Sequence, residues 1–144
     1  MNSSLPTGLA GAARLRDVET RSISAENPDG ARGGGARATE GVGAASARDL
    51  GPGWKIAPAI DLPAGETVDL AMIQGPGRIT HVWITTHPDH WRTLILRAYW
   101  DGSAEPAIEV PYGDFFCNGW SVYAPVSSEP IAVNPHRGFN SYWP

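Results

Sequence analysis

The sequence holds one cysteine, Cys117, in 144 residues, so no disulfide framework can form within the chain and the redox compartment stays undecided. Charge is also sparse. Eleven basic and 15 acidic residues leave a net charge of −4, and nowhere do five or six like charges follow one another. Without such a run the chain has little with which to track phosphates or an anionic lipid surface, which argues against nucleic-acid and membrane partners. Long apolar runs are missing as well. Arg, Asp, Glu or Pro interrupts every window before it nears the roughly 18 apolar residues of a spanning helix. Met1 to Ala13 has neither the basic start nor the apolar run of a secretory leader, so cytoplasm is the expected compartment.

Aromatic residues are absent from the first 50 positions, which are rich in Gly, Ala, Ser and Arg. That stretch cannot build a core by itself. Ala, Leu and Arg propensity suggests a short helix around Leu9 to Val18, weakened by Gly11. From Ser22 to Ala45 the chain is expected as irregular backbone draped over a sheet, with Asn27-Pro28 and Asp29-Gly30 marking turns and Gly33, Gly34 and Gly35 allowing positive φ. It lacks the Lys-Ser/Thr ending of a phosphate loop. It is either a linker or a backbone-rich loop over a binding site, with Glu26, Asn27 and Arg32 as polar contacts.

After Gly53 short apolar runs alternate with period two between Gly, Pro and Asp, the pattern of strands. The candidates are Trp54 to Ile60, Thr67 to Ile73, Arg78 to Thr86, Thr93 to Trp100, Ala107 to Val110 and Ile131 to Val133. In TLILRAYW, Leu94, Leu96, Ala98 and Trp100 share one face. With turn signals at Pro63-Ala64-Gly65, Gly75-Pro76-Gly77 and Asp101-Gly102, and no long amphipathic helices, the fold class is mainly β: an antiparallel jelly roll or β-sandwich. Residues 1–52 are expected as an extension and loop, and residues 53–144 as the β module. The expected core is Leu94, Leu96, Trp100, Val110 and either Trp83 or Ile84.

Several chemistries find little support. His87-Pro88-Asp89-His90, with His81 upstream, gathers imidazoles and a carboxylate, but no Cys or HExxH spacing points to zinc, and a solvated turn explains the segment. No metal or cofactor is expected. No serine sits in a nucleophile elbow, and Cys117 beside Phe116 is expected to be packed. The fuller constellation is aromatic and polar together: Trp83, Trp91, Tyr99, Trp100, Tyr112, Phe115, Phe116, Trp120, Tyr123, Phe139, Tyr142 and Trp143, interleaved with Asp101, Glu105, Glu109, Asp114 and Asn140. Aromatic faces cover the C–H face of a sugar ring while carboxylates and amides bind its hydroxyls. Core packing explains most of these aromatics. Asp114, between Gly113 and Phe115-Phe116 at a strand end, is the exception, since a carboxylate there needs solvent or a partner.

The segments RSISAENPDGARGGGARAT, ARDLGPGWKI, GPGRITHVWITT, LILRAYWDG, AIEVPYGDFF and GFNSYWP occur in the order seen in glycoside hydrolase family 172, and from about Arg21 onward the chain resembles that family. The resemblance implies paired jelly rolls, with residues 53–144 as the first and truncated at its C-terminal side, assembled into trimers or hexamers and acting without metal on α-linked furanosides such as difructose dianhydrides and D-arabinan. Through the GDFF and FNSYW motifs it implies Asp114, Phe116, Asn140 and Trp143 as substrate-binding residues. The family's catalytic glutamates lie in later motifs, and Glu105, Glu109 and Glu129 do not match them. The ENPDGARGGG loop also departs from the DRTGGN-like version of some members, which leaves the substrate open. The expected function is therefore the N-terminal fragment of a furanoside-active glycosidase, itself inactive and prone to self-association. The alternative is a non-catalytic jelly-roll module for carbohydrate binding or assembly.

Overall fold

The computed structural model describes residues 15, 17–51, 53–134 and 137–143, which fall into two compact units, Leu15–Gly77 and Arg78–Pro144. The helix expected around Leu9 to Val18 lies mostly outside the described residues; Leu15, Asp17 and Val18 are described, and none is helical.

The unit Leu15–Gly77 is nearly all irregular. Among its described residues the regular structure is one four-residue helix, α1 (Ala44–Ala47), and an isolated bridge between Ser24 and Asn27. Ser22 to Gly43 is irregular as expected, apart from the Ser24–Asn27 bridge, and α1 begins at Ala44, whereas the strands expected at Trp54 to Ile60 and Thr67 to Ile73 do not form. Other groups take the backbone partners that a strand would use. The Ile56 and Ala57 N–H groups donate to Glu26 Oε1, each at 2.6 Å, and the Ile56 carbonyl accepts from Gly43 N–H at 2.8 Å. Pro58 and Pro63 supply no N–H at all.

The unit Arg78–Pro144 carries the sheets. Strands β1 (Val82–Ile84), β2 (Ile95–Ala98), β3 (Ile108–Pro111), β4 (Val126–Ser127), β5 (Ile131–Val133) and β6 (Phe139–Ser141) pair antiparallel throughout. Four of them form a sheet in the order β1-β6-β5-β4; β2 and β3 form a second sheet. The result is a mainly β, incomplete sandwich, as the alternation in the sequence implied. β4 and β6 escaped the sequence reading because β4 has two residues and β6 a single apolar residue, Phe139, followed by Asn140 and Ser141.

Pairing register decides what each sheet face carries. Ile84, Phe139 and Val133 lie side by side across three strands, and so do Val82, Ser141 and Ile131. These point into the core, where Trp91, Tyr112, Phe116, Ile131, Val133 and Phe139 are buried, and Phe139 is edge-on or tilted to three rings. Leu94 and Ile84 pack against this cluster, and Leu96 and Val110 are half-buried as a cross-strand pair. Trp100 and Trp83 are not core: they are 49% and 52% exposed. The core is built from aromatics of the connecting turns, Trp91, Tyr112 and Phe116, which strand periodicity does not report.

Tyr112 also donates its hydroxyl to the Ile84 carbonyl at 3.0 Å, and burial pushes the phenol well above its ordinary value of 10.0. In the unfolded chain that tyrosine ionises near pH 10, while the folded form keeps its proton. The stability from Tyr112 is therefore whole below pH 10 and is lost as pH rises further. Thermal melts followed by circular dichroism at pH 9 and 11 are expected to drop more steeply for the wild type than for Tyr112→Phe. Parallel drops would contradict this.

Candidate functional site

The Gly113–Phe116 motif is a sharp turn tied down from both sides. Helix α2 (Tyr112–Phe115) follows β3 without a break, and Gly113 N–H donates to the Trp91 carbonyl at 2.9 Å. The Gly113 carbonyl accepts from Phe116 N–H at 3.1 Å and Asn118 N–H at 2.7 Å. A Cβ on Gly113 would lie 2.7 Å from the Asn118 carbonyl oxygen and 3.0 Å from Trp91 Cβ, so only glycine fits. Asn118, 1% exposed, closes the following loop: its Oδ1 accepts from Ala124 N–H at 2.7 Å, and its Nδ2 donates to the Phe116 and Ala124 carbonyls. Every polar atom of that buried amide is satisfied.

This turn sends Phe116 inward and Asp114 outward. Phe116 is fully enclosed in the core. Asp114 Oδ2 accepts from Arg92 Nη1, and the Arg92 guanidinium carbon stands 5.2 Å from the centre of the Trp120 ring. Asp114 Oδ1 is enclosed with no hydrogen-bond partner among the described residues, facing Gly119, where an added Cβ would be 3.6 Å away. Trp120 is 84% exposed and sits at φ 60°, between Cys117 at φ 64° and Ser121 at φ 57°. Left-handed backbone is strained for bulky residues and has to be imposed by surrounding structure. Here it turns an indole toward solvent over a paired guanidinium, and core packing gives no reason for that. It also turns Cys117 outward, so the thiol expected to be packed is exposed.

The other expected site residues lie elsewhere in this unit. Asn140 is 5% exposed on β6; its Nδ2 donates to the Ala132 and Gly138 carbonyls, and its Oδ1 faces His81 Nε2 at 3.1 Å. Trp143 is 69% exposed, with its N–H donating to Ser141 Oγ. Among the described residues no hydrogen bond, ion pair or ring contact links Asp114 to Asn140 or Trp143. Sequence reasoning missed Arg92, and it held Trp120 only as one aromatic residue among twelve. Arg92 lies 22 positions from Asp114, and nothing in the strand pattern pairs them.

The remaining candidates are engaged locally. His87-Pro88-Asp89-His90 forms a single exposed 3-10 turn capped by His87 Nδ1, which accepts from Asp89 N–H. Among the described residues no three His, Cys, Asp or Glu side chains gather as a metal would require. In the other unit, Glu26 is held below the usual carboxylate range, first by the Ala57 N–H, and Asn27 bonds the Ser22 and Ala31 carbonyls. Both organise the loop itself. A half-open hollow of about 240 Å³, lined by residues such as Arg21, Ser24, Asn27 and Arg32, lies within that loop.

Residues 55–139, more than half of the chain, match the family described as GH172 domain-like. The chain belongs to this family. No curated protein matches it. As a GH172 relative it is a relative of glycoside hydrolases, and the matched span contains Arg92, Asp114, Phe116 and Trp120, while Asn140 and Trp143 follow it. In this GH172 chain, Gly113→Ala is expected to lower unfolding stability by about 1–3 kcal/mol through overpacking against Asn118 and Trp91. Urea unfolding checks it; an unchanged midpoint would show that the turn is not locked.

Proposed function

We propose that this chain is the sugar-binding part of a glycoside hydrolase acting on α-linked furanosides, of fructose or D-arabinose, and that it does not itself cleave the glycosidic bond. The observation that carries this reading is the Asp114–Arg92–Trp120 cluster. A carboxylate accepts, a guanidinium donates, and an exposed indole face covers C–H bonds; together they suit a ring with hydroxyls on its rim and an apolar face. Phe116 supports the site from behind by anchoring the turn. The furanoside class rests on the YWDG, EVPYGDFF and FNSYWP resemblance.

Cleavage needs two suitably placed carboxyl groups, about 5–5.5 Å apart in a retaining enzyme. The glutamates with defined partners are committed elsewhere: Glu109 to Arg97 at 2.6 Å, Glu19 to Arg21 at 2.9 Å, and Glu26 to backbone N–H groups. The reading also has the chain assembling with copies of itself, supported by Tyr99, Trp100 and Trp143, which are 48%, 49% and 69% exposed.

Asp114→Asn is expected to weaken binding of methyl α-D-arabinofuranoside or an α-fructofuranoside by about 1–3 kcal/mol, or roughly 5- to 150-fold. Asp69→Asn, at an exposed position in the other unit, is the control. Saturation-transfer NMR on the chain reads the affinity, and neither sugar is expected to be hydrolysed. Equal affinity of the two variants would remove Asp114 from the site. Hydrolysis abolished by changing a glutamate of this chain would overturn the division between binding and cleavage.

A further inference from the structure

A second set of polar and aromatic side chains occupies the outer face of the four-stranded sheet. β6 sends Phe139 and Ser141 into the core, so Asn140 between them and Tyr142 beyond them lie on the opposite face. In register with them on β1 are Trp83, opposite Asn140, and His81, one step past the Val82–Ser141 pair and therefore opposite Tyr142. His81 and Tyr142 stack with centroids 4.6 Å apart and planes 5° from parallel. Trp83 lies along Gly138, its Nε1 3.3 Å from where a Cβ would stand there.

The hydrogen bonds of Asn140 determine the state of the imidazole. Its amide nitrogen faces two carbonyl oxygens, Ala132 at 3.2 Å and Gly138 at 3.3 Å, and only an N–H group can meet both. Turning the amide over would set oxygen against two oxygens. Oδ1 therefore points at His81, and an acceptor at 3.1 Å from Nε2 requires that Nε2 carry the hydrogen. In the neutral ring Nδ1 is then a lone-pair acceptor. Among the described residues it has no hydrogen-bond partner, and His81 is exposed.

We propose that Asn140 is a positioning residue that holds His81 as the Nε2–H tautomer, and that His81 Nδ1, beside the Tyr142 and Trp83 rings, accepts a hydroxyl of a sugar. An apolar protein surface laid on this face would leave Nδ1 without a donor, whereas a polyhydroxylated ring supplies both a donor and a C–H face. The sugar rests on the function proposed above; the tautomer does not. In that reading Asn140 serves recognition through His81, because its own polar atoms are already taken.

Two measurements separate these parts. Histidine-15N solid-state NMR at pH 8, with His81 assigned by its loss in His81→Phe, is expected to show Nε2 protonated and Nδ1 unprotonated. Asn140→Ala is expected to give the mixture of tautomers typical of a free imidazole, while Tyr112→Phe leaves His81 unchanged. A mixture in the wild type, or a single tautomer in Asn140→Ala, would overturn the positioning role. His81→Phe keeps a ring to stack on Tyr142 but takes the donor from buried Asn140 Oδ1, so its melting temperature is expected to fall; measured well below that temperature, its binding of methyl α-D-arabinofuranoside is expected to weaken by about 2- to 12-fold. If wild type and His81→Phe bind equally while Asp114→Asn is weakened, this site is wrong and the proposed function stands. If the wild type binds no furanoside, the recognition role and the proposed function fall together.

Discussion

Burial of Phe139 is the contact on which the rest of this unit depends. Its ring meets Trp91 edge-on at 4.9 Å, Tyr112 at 5.2 Å and Phe116 at 5.3 Å, three residues from two turns that precede it by 23 to 48 positions. A full aromatic side chain in such a setting is worth on the order of 3–5 kcal/mol against alanine. The same residue fixes the phase of β6. With Phe139 inward, strand alternation leaves no choice for Asn140, which must face outward, and so Asn140 reaches His81.

From the core, two constructions lead to the surface. The Gly113 turn buries Phe116 and in doing so holds Asp114 where Arg92 can pair with it; the left-handed Trp120 then lies over the guanidinium. On the sheet, β1 and β6 hold His81 against Tyr142 and Asn140. Both surfaces combine an oriented acceptor with exposed ring faces, and both are backed by residues whose polar atoms are fully committed, Asn118 in one case and Asn140 in the other. A hydroxyl-bearing ring is the ligand that this chemistry suits in each.

Alternation alone was enough to place β1, β2, β3 and β5, because in these segments one strand face is apolar. It misled at Trp54 to Ile60, where Trp54, Ile56 and Ile60 fall on one face but the Ile56 and Ala57 N–H groups go to Glu26, about thirty positions earlier. It was silent at β6, where one apolar residue, Phe139, is followed by Asn140 and Ser141. Asp114 was legible as a carboxylate out of place at a strand end. Arg92 was not, and Trp120 and His81 stood out only as members of larger sets, since the roles of all three rest on an ion pair, a left-handed backbone and an amide orientation, none of which leaves a trace in composition or spacing.

The central claim is that the exposed aromatic residues beside fixed polar groups are sugar platforms. Fluorine NMR of the chain labelled with 5-fluorotryptophan tests it most directly, because the six tryptophans differ so widely in setting. With methyl α-D-arabinofuranoside added, the Trp120 and Trp83 signals are expected to shift in a saturable way, while buried Trp91 and Trp54 of the other unit stay still. Saturable shifts confined to residues other than Trp120 and Trp83, or no shift at saturating sugar, would contradict the account.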